Sequence, residues 1–297
     1  MVTFGKRNVD DAHEFGHDRS IRGLRGRYLI LCGIGAYALS VSALWLIWGM
    51  WGHDVPQTIF SIVWFISFHP LLIVFMLVFF RRPFYRLIKT IQLTSFKRVR
   101  WSVGTGITLY VVSIGALYVV YLPLSYLYPE FIDRWVFDRR FQFFWIEGDY
   151  FILANAVTVI MVIVVGPLVE ELFFRGLLLR VWITKWGPVP AIIVSSVLFS
   201  AIHSEYVGPL VGSIFLSLTY IWSRRIEVPI LIHMAYNSAF TALEGAALIS
   251  HGPYTYTLAD FQAGWWYGAL GLIIGVPVLV WLLRRAPRAV PEVVPPQ

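Results

Sequence analysis

Two adjacent carboxylates and an arginine four positions on, Glu170, Glu171 and Arg175, stand inside an otherwise apolar stretch. On insertion scales a charged side chain at mid-bilayer costs at least about 2.5–3.5 kcal/mol, so such groups point to function or to a specific structural lock. Glu171 and Arg175 are four apart and share a helix face. The acid is N-terminal, the better order for such a pair. They can neutralise each other. Glu170 points about 100° away and has no cation near it in sequence. It must be protonated, meet a partner from another helix, or face water. A carboxyl held this way suits general acid/base chemistry. The structural alternative is a charge cluster that only fixes helix packing.

Two further segments carry compatible side chains. Phe199 is followed four positions later by His203, and His233 four positions later by Asn237. His and Asn one turn apart share a face, and two aligned donors can stabilise a developing oxyanion. Each also has a plain reading, because intramembrane His and Asn often hold helices together. Glu244 lies two turns beyond Asn237 and is expected to reach toward the outer surface rather than join them.

The elements that must position these groups follow from composition. Of 297 residues, 58% are hydrophobic and 14% charged, against about 25% charged in a soluble domain. Mean hydropathy is +0.69. Too few polar side chains exist to coat a water-facing globule, so lipid is the expected solvent. Stretches of roughly 20 apolar residues suggest about eight spans, at 28–51, 59–80, 103–128, 150–182, 189–203, 207–222, 229–249 and 261–283. The expected fold is an all-α transmembrane bundle over 28–283, with polar tails at 1–27 and 284–297.

Lys and Arg orient it. With the N-terminus in the cytoplasm, only Arg134, Arg139 and Arg140 fall outside, and Arg175 lies within a span. All the others fall on the cytoplasmic side, as the positive-inside rule requires. Both termini are therefore expected in the cytoplasm. The net charge of +7 is thereby accounted for by topology and anionic lipid, and no nucleic-acid motif accompanies it. The first 27 residues do not read as a cleavable signal. Cys32 is the sole cysteine and reads as a small buried apolar residue.

Depth can be counted at 1.5 Å per residue. Glu170 lies roughly 18 Å from the span end at 182, and His203 roughly 21 Å from the span start at 189. His233 lies only about 6 Å from 229, so either the loop 224–228 dips into the membrane or these span boundaries are wrong. One motif is a decoy. His13-Glu14-Phe15-Gly16-His17 matches H-E-x-x-H, but that zinc pattern needs a stable helix, and these residues lie in a polar tail with Gly16 inside it.

In chain order the motifs resemble those of the CAAX-protease and bacteriocin-processing family of intramembrane proteases. That family's pattern is E-E-x-x-x-R, then F-x-x-x-H, then H-x-x-x-N. It stands intact as Glu170-Glu171…Arg175, Phe199…His203 and His233…Asn237, within a core of about 150–245. The resemblance implies an eight-helix protease whose eukaryotic members remove the last three residues of prenylated CAAX termini, with a site opening toward the cytoplasm. It implies that Glu170 is the catalytic glutamate and that His203 helps it hold and activate water. His233 and Asn237 would stabilise the oxyanion, and Glu171 and Arg175 would support the site.

A glutamate-activated water needs no metal, and this is the preferred expectation. Zinc on Glu170, His203 and His233 is the alternative, since Glu plus two His can form an open zinc site. The expected partners are membrane lipid and a peptide or protein substrate, prenylated, lipid-associated or neither. The expected location is the membrane, multi-pass, and the plasma membrane if the source is prokaryotic. The rival reading is a non-catalytic peptide-binding, immunity or regulatory scaffold. A transporter also accommodates buried Glu and His, but the sequence has no repeat symmetry to support one.

Overall fold

A computed structural model describes residues 21, 23–51, 56–92, 94–134, 144–251 and 257–286. The decoy motif at 13–17 and the C-terminal tail beyond 286 lie outside the described residues.

Among the described residues every regular element is helical. They are α1 (Gly26–Trp51), α2 (Gln57–Phe79), α3 (Arg81–Thr90), α4 (Phe96–Leu127), α5 (Phe151–Trp186), α6 (Pro188–Ala201), α7 (Val207–Ser223), α8 (Glu227–His251), α9 (Leu258–Ala263) and α10 (Trp265–Arg284). Helices occur at all eight expected positions. Five of them, α1, α2, α4, α5 and α10, are long and apolar enough to cross a membrane. α6 and α7 have 14 and 17 residues, shorter than the roughly 20 a span needs.

The outer surface is apolar. Leu46 is 67% exposed and Ile273 69%, and such side chains on the outside of span-length helices require lipid around them. The chain is a multi-pass membrane protein. Some hydroxyls inside the bundle bond within their own helices, as Ser40 Oγ does to Ala36 O at 2.8 Å.

α3 is a helix that the span pattern does not signal. It buries Pro83, Phe84 and Leu87 and exposes Arg81, Arg82, Arg86 and Lys89, the arrangement of a helix lying at a membrane surface.

α4 is the central post, with α8 and α10 packed along it. The approach of α8 depends on Gly106, where a Cβ would collide with the Ile232 carbonyl and Ala235. Small residues at such crossings let helix backbones close up. On the other side α1 and α2 pair, and α2 packs on α5. Thr58 Oγ1 donates to Asp149 O at 2.6 Å, tying the start of α2 to the entry of α5.

Two expectations are corrected. His203 is not within a span: α6 ends at Ala201, and His203 sits in the turn leading to α7. The turn between α7 and α8 lies inside the protein, with Ile226 2% and Val228 1% exposed. α8 begins at Glu227, two residues earlier than expected. Arg224, in the left-handed region at φ 54°, ends α7 and opens that turn.

Candidate active site

α5 brings the acidic pair. It is continuous but uneven: π-helical stretches at Met161–Val165 and Leu172–Leu179 bracket Gly166–Glu171. Such widened turns concentrate at functional sites. The sequence gives a local reason for the first. In π geometry the donor to the Val162 carbonyl is residue 167, which is Pro167 and has no N–H. That orphaned carbonyl is taken by Asn237, whose Nδ2 donates to it at 2.8 Å. α8 is thereby fixed against α5 through one of the predicted site residues.

The Glu171–Arg175 pair forms as expected, with Arg175 Nη1 donating to Glu171 Oε1 at 2.7 Å. Both side chains are sealed, at 1% or less exposure. Burying two charges is costly unless their remaining groups are also satisfied. Here they are. Arg175 Nη2 donates to Ser213 Oγ at 2.8 Å and to Ser213 O at 3.1 Å, and the guanidinium lies 4.6 Å from the centre of the Phe199 ring. Glu171 Oε1 also meets His233 Nδ1 at 2.9 Å.

Glu170 does point elsewhere. Its Oε1 lies 3.3 Å from Nε2 of His69, on α2, and its Oε2 lies 4.0 Å from Nε2 of His233. His203 shares a cavity with His233, the second of these partners. Of the three routes open to this acid, partners from other helices are the one realised.

His203 is held by its turn. Its Nδ1 bonds the Phe199 carbonyl at 2.7 Å, which leaves Nε2 for the site. Ser200 Oγ donates to Tyr206 O at 2.6 Å. The N–H groups of Val207 and Gly208 donate to the Glu205 carboxylate at 2.6 and 2.8 Å, satisfying two of the free donors at the start of α7. Phe199 packs between the two imidazoles, its ring centre 4.6 Å from His203 and 5.8 Å from His233.

His203, His233 and Asn237 line one cavity of about 60 Å³ with Phe199, Ser213 and Tyr236. One water needs roughly 10–15 Å³ on this measure, so the space holds water but not a peptide. Glu244, on α8, is half-buried.

Zinc fits this arrangement poorly. Among the described residues no three His, Cys, Asp or Glu side chains converge as a metal set. The 4.0 Å between Glu170 and His233 exceeds the roughly 3.3 Å that two ligands about 2.0–2.1 Å from one tetrahedral ion would show.

Three residues of this site escaped sequence reasoning: His69, Glu205 and Ser213. His69 had a legible signal, as an ionisable side chain in an apolar span. Ser213 and Glu205 had none, because a serine in a helix and a glutamate in a turn are ordinary.

Residues 152–239 match the model of the Rce1-like family, described as type II CAAX prenyl endopeptidases. The membrane-embedded CAAX protease MroQ of Staphylococcus aureus (strain USA300) is 36% identical over 93 residues, which cover 27% of this chain and 36% of that one. The match thus spans about a third of the length of that relative. No solved structure matches.

Proposed function

We propose that this membrane protein, whose residues 152–239 match the Rce1-like family of CAAX endopeptidases, is an endopeptidase that cleaves by a Glu170-activated water. The observation that carries the proposal is the meeting of Glu170 and His233, 4.0 Å apart, where His233 in turn lines a water-sized cavity with His203 and Asn237.

In the proposed reaction a water sits between Glu170 Oε2 and His203 Nε2. Glu170 takes its proton as the oxygen attacks the scissile carbonyl. The second Nδ2 hydrogen of Asn237, free of the Val162 bond, donates to the oxyanion. His233 contributes from Nε2. Its Nδ1 proton is committed to Glu171, so this role requires the imidazolium form, a charged donor of the stronger kind. Glu170 then returns the proton to the leaving amine. A lost oxyanion donor typically costs about 10²–10³ in kcat. No metal is needed for these steps.

The substrate is proposed to be a peptide segment at the membrane, either prenylated or not. The cavity admits water alone, so a peptide must enter by separating neighbouring helices. The test is cleavage of a farnesylated CAAX-terminated peptide and its unprenylated counterpart by purified protein. Cleavage of either that is lost in Glu170→Ala and His203→Ala, with folded protein retained, supports the enzyme. No cleavage of either, or native rates in Glu170→Ala, overturns it.

A further inference from the structure

We propose that His69 of α2 is a positioning residue for Glu170: it donates Nε2–H to Oε1 and so leaves Oε2 as the oxygen that acts as base. The inference rests on the function proposed above. It concerns a helix outside the matched segment 152–239, so neither the motifs nor the relatives assign this residue a role.

His69 is 6% exposed in the middle of an apolar span. Burying an imidazole there without use is costly. Its Nε2 lies 3.3 Å from Glu170 Oε1, at the long end for such a bond, as catalytic hydrogen bonds often are before substrate arrives. Its Nδ1 is buried without a hydrogen-bond partner among the described residues. Opposite a carboxylate oxygen, Nε2 is the nitrogen that must carry a proton to donate.

The surroundings fix the ring. Phe68 meets it edge-on, with centroids 5.2 Å apart. Below it lies Gly166, one turn before Glu170. A Cβ at 166 would stand 3.3 Å from His69 Nε2 and 3.7 Å from Glu170 Oε1. The missing side chain is what lets the imidazole reach the carboxylate. With Oε1 engaged, Oε2 is left facing His233.

The test compares His69→Phe, which keeps a ring and deletes the donor, with His69→Gln, whose amide nitrogen donates at similar reach. The probe is the farnesylated CAAX-terminated peptide. A base displaced by about 1 Å can lose about 10²-fold in rate, so His69→Phe is expected to lower kcat about that much while KM stays within about twofold. His69→Gln is expected to recover at least about tenfold of that loss. Native kcat in His69→Phe, or equal impairment in both variants, overturns the proposal. Glu170→Ala runs alongside: its retained activity sinks the proposed function, whereas a dead Glu170→Ala beside a native-like His69→Phe sinks only the role of His69. A thermal double-mutant cycle with His69→Phe and Glu170→Gln needs no turnover. The double variant is expected to lose less Tm than the two single shifts together, and additive shifts count against the contact.

Discussion

His233 and Glu171 meet at 2.9 Å, Nδ1 to Oε1, across the interface of α8 and α5. The same oxygen accepts from Arg175 at 2.7 Å. One buried carboxylate therefore compensates the arginine and sets which imidazole nitrogen of His233 faces the cavity.

Removing Glu171 leaves Arg175 buried without its counter-charge. Breaking one side of a buried pair typically costs about 3–5 kcal/mol, so Glu171→Ala should lower stability by about that much in thermal or denaturant unfolding. Replacing both partners, as Glu171→Leu with Arg175→Met, should restore most of the stability. It should not restore activity, because His233 loses its orienting acceptor. Native stability in Glu171→Ala would contradict the pairing.

Asn237 has two tasks. Its bond to the Val162 carbonyl joins α8 to α5, and its remaining hydrogen is assigned to the oxyanion. Asn237→Ala should cost about 1–3 kcal/mol through the orphaned carbonyl and about 10²–10³ in kcat. Steady-state kinetics on protein verified as folded separate the two. Loss of stability with native kcat would restrict Asn237 to its structural task.

Gly166 is tight on two sides. A Cβ there would stand 2.8 Å from the Met161 carbonyl and 3.3 Å from His69 Nε2. Gly166→Ala should destabilise by about 1–3 kcal/mol and impair turnover in the manner of His69→Phe. Gly49→Ala, where nothing lies within 4 Å, is the control and should leave turnover native. A native-like Gly166→Ala would count against the close approach.

If Glu170 activates water without a metal, dialysis against a strong chelator should leave the cleavage rate within about twofold of native, well short of the tenfold that 1.4 kcal/mol represents. Loss of cleavage on chelation, with recovery on adding zinc, would replace the mechanism by a metal-dependent one.

Much of this arrangement is legible in the sequence. Charges inside apolar stretches mark Glu170, Glu171 and Arg175, and four-residue spacing pairs the last two before any coordinates. The same spacing puts His233 and Asn237 on one face. Spacing within one helix says nothing about which other helix arrives, however. The neighbours of Glu170 come from α2 and α8, contacts set by tertiary packing. His69 was hidden for that reason, although its burial cost gave a hint. The early end of α6 escaped notice because Phe199–Tyr206 has no Pro or Gly to stop a helix. What holds that turn is Ser200 bonding to the Tyr206 carbonyl and Glu205 capping α7. The helical character of α3 was masked by its basic residues, which count toward topology before they suggest a surface helix.

The most direct measurement is single-turnover cleavage of the farnesylated peptide in water enriched in ¹⁸O, with mass analysis of the new C-terminal carboxyl. Direct attack by a Glu170-activated water predicts one heavy oxygen in the product of the first turnover, and no product from Glu170→Gln. First-turnover product carrying only light oxygen, or product formed at native rate by Glu170→Gln, would contradict the account.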